Sequence, residues 1–213
     1  ASLTYRLAQA GTTGVTFTRL KFHATGEAIN VTQLALHLTN SASSSPADFV
    51  GNQVRLYKND GVTLVGAVTF PGALRRASST ITDFLIPADS DAYMIVKGDL
   101  SQIGISQAGV QGHLIAVDYV NDGGNGNAST RGIGQMSGTY VYATSQSTRV
   151  ASVRVFSSVP TIADVTTGNS LVSGGDLYKF SITAPAAIGS SGSSGVQLKK
   201  VTFRVATSSS LVE

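Results

Sequence analysis

Cysteine and tryptophan are absent from these 213 residues, methionine occurs twice, and charged side chains make up 13% of the chain. Each shortage excludes something. Without cysteine there is no thiol nucleophile, no disulfide framework and no cysteine-based zinc site. A chain of this length needs no disulfide, because its core can be large enough without one. Charge at about half the usual share of roughly 25% leaves the surface to Ser, Thr, Asn, Gln and Gly. That composition is common in secreted and surface-assembled β proteins and uncommon in cytosolic enzymes. The net charge is +3, but basic residues are scattered singly or in pairs, as at Arg75-Arg76 and Lys199-Lys200. A nucleic-acid surface needs a clustered basic stripe with interleaved aromatics, so no nucleic-acid partner is expected. No apolar run approaches the roughly 18 residues of a membrane span, and none is expected. No basic-plus-apolar segment opens the sequence, as expected of a mature chain or a piece excised from a longer precursor.

Period-two alternation dominates what is present, and helical periodicity is nearly missing. Strands are expected over 2–8, 15–24, 29–38, 53–58, 62–70, 79–86, 91–98, 112–119, 139–142 and 150–156. In the second, Val15, Phe17, Arg19, Lys21 and His23 are expected on one face, with Leu20 and Phe22 on the other. Asn59-Asp60-Gly61 between two alternating runs predicts a hairpin, since all three residues tolerate positive φ. Residues 99–107 offer the one short helical turn. The Gly- and Asn-rich stretch VNDGGNGNASTRG, starting at Val120, predicts a long exposed or ligand-bearing loop. Strands every 8 to 15 residues with turn punctuation predict an all-β, Ig-like or Greek-key β-sandwich.

The chain then begins to repeat itself. Residues 158–176 have the character of a linker and domain entry, with Val159-Pro160 forcing extension. After it, Tyr178-Lys179-Phe180 parallels Tyr5-Arg6-Leu7, and from Gly195 the pattern that starts at Gly14 recurs. Phe17 matches Leu198, Arg19 matches Lys200, Leu20 matches Val201 and Phe22 matches Phe203. Two ordered strands recurring at about 175 residues suit tandem sandwiches. The expected domains are therefore a sandwich over 1–157 and, over 177–213, the first strands of a second similar one. Two strands alone would leave unpaired edges and an apolar face. Either a longer chain supplies the rest, or another subunit completes it by strand complementation.

LYKFSIT followed by GVQLKKVTFRV, and the run VTQLALHLTNSASSSPADFVGNQVRLYKNDGVTLVGAVTF, resemble strand pairs in tandem repeats of large secreted bacterial cell-surface proteins. The likeness covers most of residues 3–86 and 153–207, and its motifs are strand patterns. It implies Ig-like or related sandwich modules of stalk, surface-layer or filament proteins, with an extracellular, cell-surface location. It carries over no functional residue.

Candidate chemistry is sparse. His23, His37 and His113 have no second ligand at metal spacing, no Gly-x-Ser-x-Gly elbow stands between a strand and a helix, and no carboxylate is visibly placed to orient a histidine. No catalytic residues are expected. Calcium is the one cofactor the Gly/Asn loop suggests, through Asp118, Asn121, Asp122 and Asn125. Asp89, Asp91 and Asp99 form a second oxygen-rich region. Asn127-Ala-Ser129 and Asn30-Val-Thr32 fit the glycosylation sequon. Lys21, Lys97 and Lys179 sit in strands, where an isopeptide crosslink would need a buried lysine; snorkelling is the ordinary expectation. Tyr178, Phe180, Val196, Leu198, Val201 and Phe203 are the expected interface. The function anticipated is a non-catalytic structural or adhesive module whose partners are further copies or adjacent domains of the same polypeptide. A carbohydrate-binding module contacting surface glycans through Tyr119, Tyr140 and Tyr142 is the alternative, weakened by the lack of tryptophan.

Overall fold

The computed structural model describes residues 5–39, 44–120, 129–143, 152–165, 178–185 and 199–202. Fourteen strands and one 3-10 turn account for the regular structure among them, with no α-helix. The strands are β1 (Arg6–Gln9), β2 (Val15–His23), β3 (Ile29–Thr39), β4 (Phe49–Lys58), β5 (Leu64–Thr69), β6 (Arg76–Thr80) and β7 (Leu85–Ile86). They continue with β8 (Asp91–Leu100), β9 (Leu114–Tyr119), β10 (Arg131–Gly134), β11 (Tyr140–Tyr142), β12 (Val153–Phe156), β13 (Thr161–Asp164) and β14 (Phe180–Thr183). Pro46–Asp48 forms the 3-10 turn, closed by a capping box in which Ser45 and Asp48 satisfy each other's backbone amides.

Two sheets pack face to face as a β-sandwich. One runs β2-β8-β4-β5; the other runs β1-β12-β9-β3-β10-β11, with β6 and β7 following one another along the far edge of β3. Between them lies one core of aliphatic side chains around Phe17, Phe49 and Phe70. Phe17 meets Phe49 edge-on with centroids 5.1 Å apart, and Phe49 stacks on Phe70 at 6.3 Å. β13 and β14 form a separate antiparallel ribbon after the sandwich.

The 59–61 hairpin forms as expected. Gly61 adopts φ +70, its amide donates to the Lys58 carbonyl, and the Asp60 carboxylate accepts the Val62 and Thr63 amides. Elsewhere the structure corrects the sequence reading. Phe17 does not share a face with Arg19, Lys21 and His23. The β2–β8 register slips between Thr16 and Thr18, so the extra residue Phe17 joins Val15 in the core and the phase then switches to Leu20. β3 slips against β10 in the same way, which lets Val31 and Leu34 both point inward. The single strand expected over 79–86 is two short ones, both on β3. Residues 99–107 contain no helical turn, because Gly104 and Ser106 both take positive φ and a bridge joins Ile103 to Gly109.

Candidate functional site

A cleft of ≈ 750 Å³ opens on one side of the sandwich. Five consecutive residues of β2, Arg19 to His23, border it. Successive side chains of a strand point to opposite faces, so a cleft touching all five meets the strand edge-on. Across from them stand Val141, Tyr142 and Ala143, at and just past the end of β11, which is the edge strand of the other sheet. Between the two edges the floor is apolar, with Leu20, Phe22, Ile29, Val31 and Ile86.

One hydrogen bond fixes which way the β2 backbone faces. The Ala24 amide donates to the Ser90 carbonyl on the β8 side. Alternation along an antiparallel ladder therefore directs Leu20 and Phe22 toward β8, and the Arg19, Lys21 and His23 backbone groups toward the cleft. Their side chains lie on the outer face. Lys21 Nζ and His23 Nδ1 each contact Asp91, both at 2.8 Å. Hydrogen bonding from Lys21, then His23, holds the Asp91 carboxyl below its usual range, while Asp91 pushes the Lys21 ammonium up. The Arg19 guanidinium lies 4.0 Å over the Tyr93 ring and donates to Asn59 Oδ1 at 2.6 Å. On the opposite wall Arg131 stacks 4.8 Å over Tyr140, and its buried Nε has no hydrogen-bond partner among the described residues. Thr130 anchors that wall, donating to the Val120 carbonyl at 3.1 Å and accepting the Ala35 amide at 3.1 Å.

Of the calcium candidates, Asp118 lines the cleft with 3% of its surface exposed, and its Oδ1 accepts the Tyr119 amide at 2.8 Å. Asn121, Asp122 and Asn125 lie outside the described residues, as does Asn127. No group of three or more candidate metal ligands occurs among the described residues. The second oxygen-rich region is dispersed. Asp99 accepts the Gly14 amide and pairs with Arg55, Asp89 accepts the Gly26 amide, and Asp91 is bound to Lys21 and His23. Asn30 stands within β3 between β7 and β10.

Histidines placed by carboxylates do exist. His23 meets Asp91, and His113 Nδ1 lies 2.9 Å from buried Asp48, whose pKa burial raises against the opposing hydrogen bonds from Ser45 and His113. Neither ring is hydrogen-bonded to a serine hydroxyl among the described residues, so neither pair extends to a nucleophile. Lys21, with 57% of its side chain exposed, and Lys97, donating to the Gly61 carbonyl at 2.6 Å, both lack the burial an isopeptide bond requires.

Tyr119 and Tyr142 both line the cleft, and Tyr140 is exposed against Arg131. Tyr178 is 56% exposed and stacks on Phe180 at 5.9 Å, and Val201 is exposed; Val196, Leu198 and Phe203 lie outside the described residues. No helix among the described residues is long and apolar enough to cross a membrane. That β2 is the outer strand of its sheet among the described residues had no signal in the sequence, because alternation reads which face a side chain takes and not which neighbour a backbone finds. No protein-family model, curated protein or solved structure matches the chain.

Proposed function

We propose that the protein is a non-catalytic, load-bearing module of an extracellular surface polypeptide or filament, repeated along its length. One observation carries this reading. The first strand of the sandwich, β1, pairs in parallel with its last, β12, from Arg6 opposite Val153 to Gln9 opposite Phe156. Tension that draws the chain out before Arg6 and after Phe156 pulls these strands in opposite directions along their length. Every hydrogen bond between them is then loaded at once, in shear, instead of being peeled open one by one.

Two further features support it. We read the order β2-β8-β4 facing β3-β9-β12 as strands B, E, D and C, F, G of an Ig-like sandwich, with β5–β7 and β10–β11 as additions. The phase switch in β2, where Val15 and Phe17 are followed by Leu20 and Phe22, is repeated in sequence by Val196, Leu198, Val201 and Phe203. Chance alternation has no reason to reproduce an out-of-step pair, which argues for a second copy of the same module.

Force spectroscopy on the 213-residue chain held at its two ends tests the reading. The Arg6 and Ala10 amides donate to Ser152 and Phe156, so by alternation the Ala8 amide also faces β12. Ala8→Pro should lower the rupture force, and Leu7→Pro, whose amide faces away, should lower it less. Equal forces in all three chains would overturn the proposal.

A second reading, carbohydrate binding, draws on Tyr119 and Tyr142 in one cleft with an apolar floor. A glycan array on which wild type binds and Tyr142→Ala does not would favour it; an array silent for both removes it.

A further inference from the structure

The hairpin of β10 and β11 forms the wall of the cleft opposite β2, and one side chain fastens its turn. Glu27, in the connection from β2 to β3, accepts the Met136 amide at 2.7 Å, the Ser137 amide at 2.9 Å and the Ser137 hydroxyl at 2.7 Å. Thr25 and Ile29, on either side of Glu27, line the cleft, as do Gly132 and Val141 of the hairpin. The carboxylate therefore ties the two walls together at one end of the cleft.

The rest of the hairpin's attachment is short. Among the described residues β11 pairs with β10 alone. β10 pairs with β3 from Gly134 opposite Ile29 to Gly132 opposite Val31, and the register then slips before Arg131 meets Gln33. A slip of this kind interrupts the ladder and bends the strand. Toward the turn, the Gln135 amide bonds the Ala28 carbonyl at 2.8 Å. The apolar floor lies directly beneath. A Cβ on Gly132 would come 2.5 Å from Ile29 Cγ2, so the hairpin rests on that side chain.

We infer that the hairpin is a hinged wall with Glu27 as its latch: neutralising the carboxylate frees the turn, and β10 swings from the slip beside Arg131 to uncover Ile29 and Val31. An ionised carboxylate only accepts, and its bonds are charge-assisted; a protonated one becomes a donor at one oxygen and loses that assistance. Acid is the trigger. Ser137, through its amide and its hydroxyl, and then Met136 hold the Glu27 carboxyl below its usual range. The latch is complete above the ordinary carboxylate value and is lost as pH falls through the lower, folded one. Other charged groups around the turn have partners of their own. Asp89 accepts the Gly26 amide at 2.8 Å, Lys21 and His23 share Asp91, and Arg131 stacks on Tyr140. The hairpin lies at the opposite end of its sheet from β1 and β12, so the latch goes beyond the load-bearing reading and does not depend on it.

Amide hydrogen exchange and a pH titration by nuclear magnetic resonance, both on the full 213-residue chain, test the latch. Glu27→Gln removes the charge. Gly134→Ala keeps it but displaces it, because a Cβ there would collide with the Glu27 carboxylate and the Ser137 hydroxyl. At neutral pH the Gln135 amide should exchange at least about ten-fold faster in each variant, with the β2–β8 amides unchanged. In wild type the Met136 and Ser137 amides should titrate with a midpoint below the ordinary glutamate value, and Ile29, Val31 and Val141 should shift with them. That transition should vanish in Glu27→Gln. Should either variant fail to fold by circular dichroism, the wild-type titration and the other variant still decide. Exchange at Gln135 unchanged in both variants overturns the inference. So does a titration in which Ile29, Val31 and Val141 stay fixed while Met136 and Ser137 move, since the carboxylate would then cap its turn without holding the wall.

Discussion

Gly98 lies on β8 against the rings of Phe17 and Phe49. A Cβ added there would come 2.8 Å from Phe49 Cδ1, 3.1 Å from Phe49 Cε1 and 3.2 Å from Phe17 Cε2, well inside the roughly 3.5–4.0 Å at which carbon contacts are attractive. Two effects of Gly98→Ala oppose each other. Restricting the unfolded chain favours alanine by about 0.4–1 kcal/mol where the backbone accepts it, and Gly98 is not among the residues with positive φ. Overpacking a well-filled core costs about 1–3 kcal/mol. The rings have little room to turn, since Phe17, Phe49 and Phe70 are fully buried and hold one another at 5.1 and 6.3 Å. The clash should therefore win, for a net loss of about 1–2 kcal/mol. At about 2–4 °C per kcal/mol for a chain of this size, Tm should fall by about 2–8 °C, and the urea midpoint should drop with an unchanged slope. In the double variant Gly98→Ala/Phe49→Leu the two effects should fail to add, because the smaller side chain relieves the contact. A Gly98→Ala protein as stable as wild type, or more so, refutes the packing argument.

Thr130→Val should cost about 1–3 kcal/mol in urea unfolding, because it strips the Ala35 amide and Val120 carbonyl of a buried partner; a neutral substitution would mean water replaces the hydroxyl. In acid, Asp60 is held at about 2 by the Thr63 hydroxyl and the Val62 and Thr63 amides, while Ser137 and Met136 hold Glu27 below its usual value. A depressed carboxyl contributes stability that is full above its unfolded pKa and lost as pH falls through the folded one. Asp48 acts oppositely, since burial raises it: its contribution is full below the unfolded pKa and lost as pH rises through the folded value. With Asp91 also depressed, stability should fall between about pH 5 and 2, and Glu27→Gln should flatten the curve there. Stability that climbs steadily to pH 2 would contradict this balance. Disabling the Asp48–His113 contact with His113→Ala should leave Asp48 buried without its imidazole hydrogen-bond partner and lower Tm; an unchanged melt would show the contact to be idle.

Much of the sandwich was legible in the residues. Leu34, Leu36 and Leu38 announce the buried face of β3, and Asn59-Asp60-Gly61 announces its turn, because period and turn chemistry are local properties of the backbone. The candidate site was legible only in fragments. Tyr119 and Tyr142, 23 residues apart, meet in one cleft because β9 and β10 both pair with β3, more than 70 residues earlier in the sequence. His113 and Asp48 likewise stand 65 residues apart, which is why no local pattern showed a histidine held by a carboxylate.

What the sequence by itself determined is the alternation: which side chains avoid water, where the chain turns, and that an all-β sandwich results. The tertiary structure alone decided register. Bulges at Phe17 and Thr32 change which face a side chain meets, and they arise where neighbouring strands of unequal path must stay paired. It also decided which strands lie outermost in each sheet among the described residues. A strand's place in the order is a property of the assembled sheet that no residue of β2 encodes on its own.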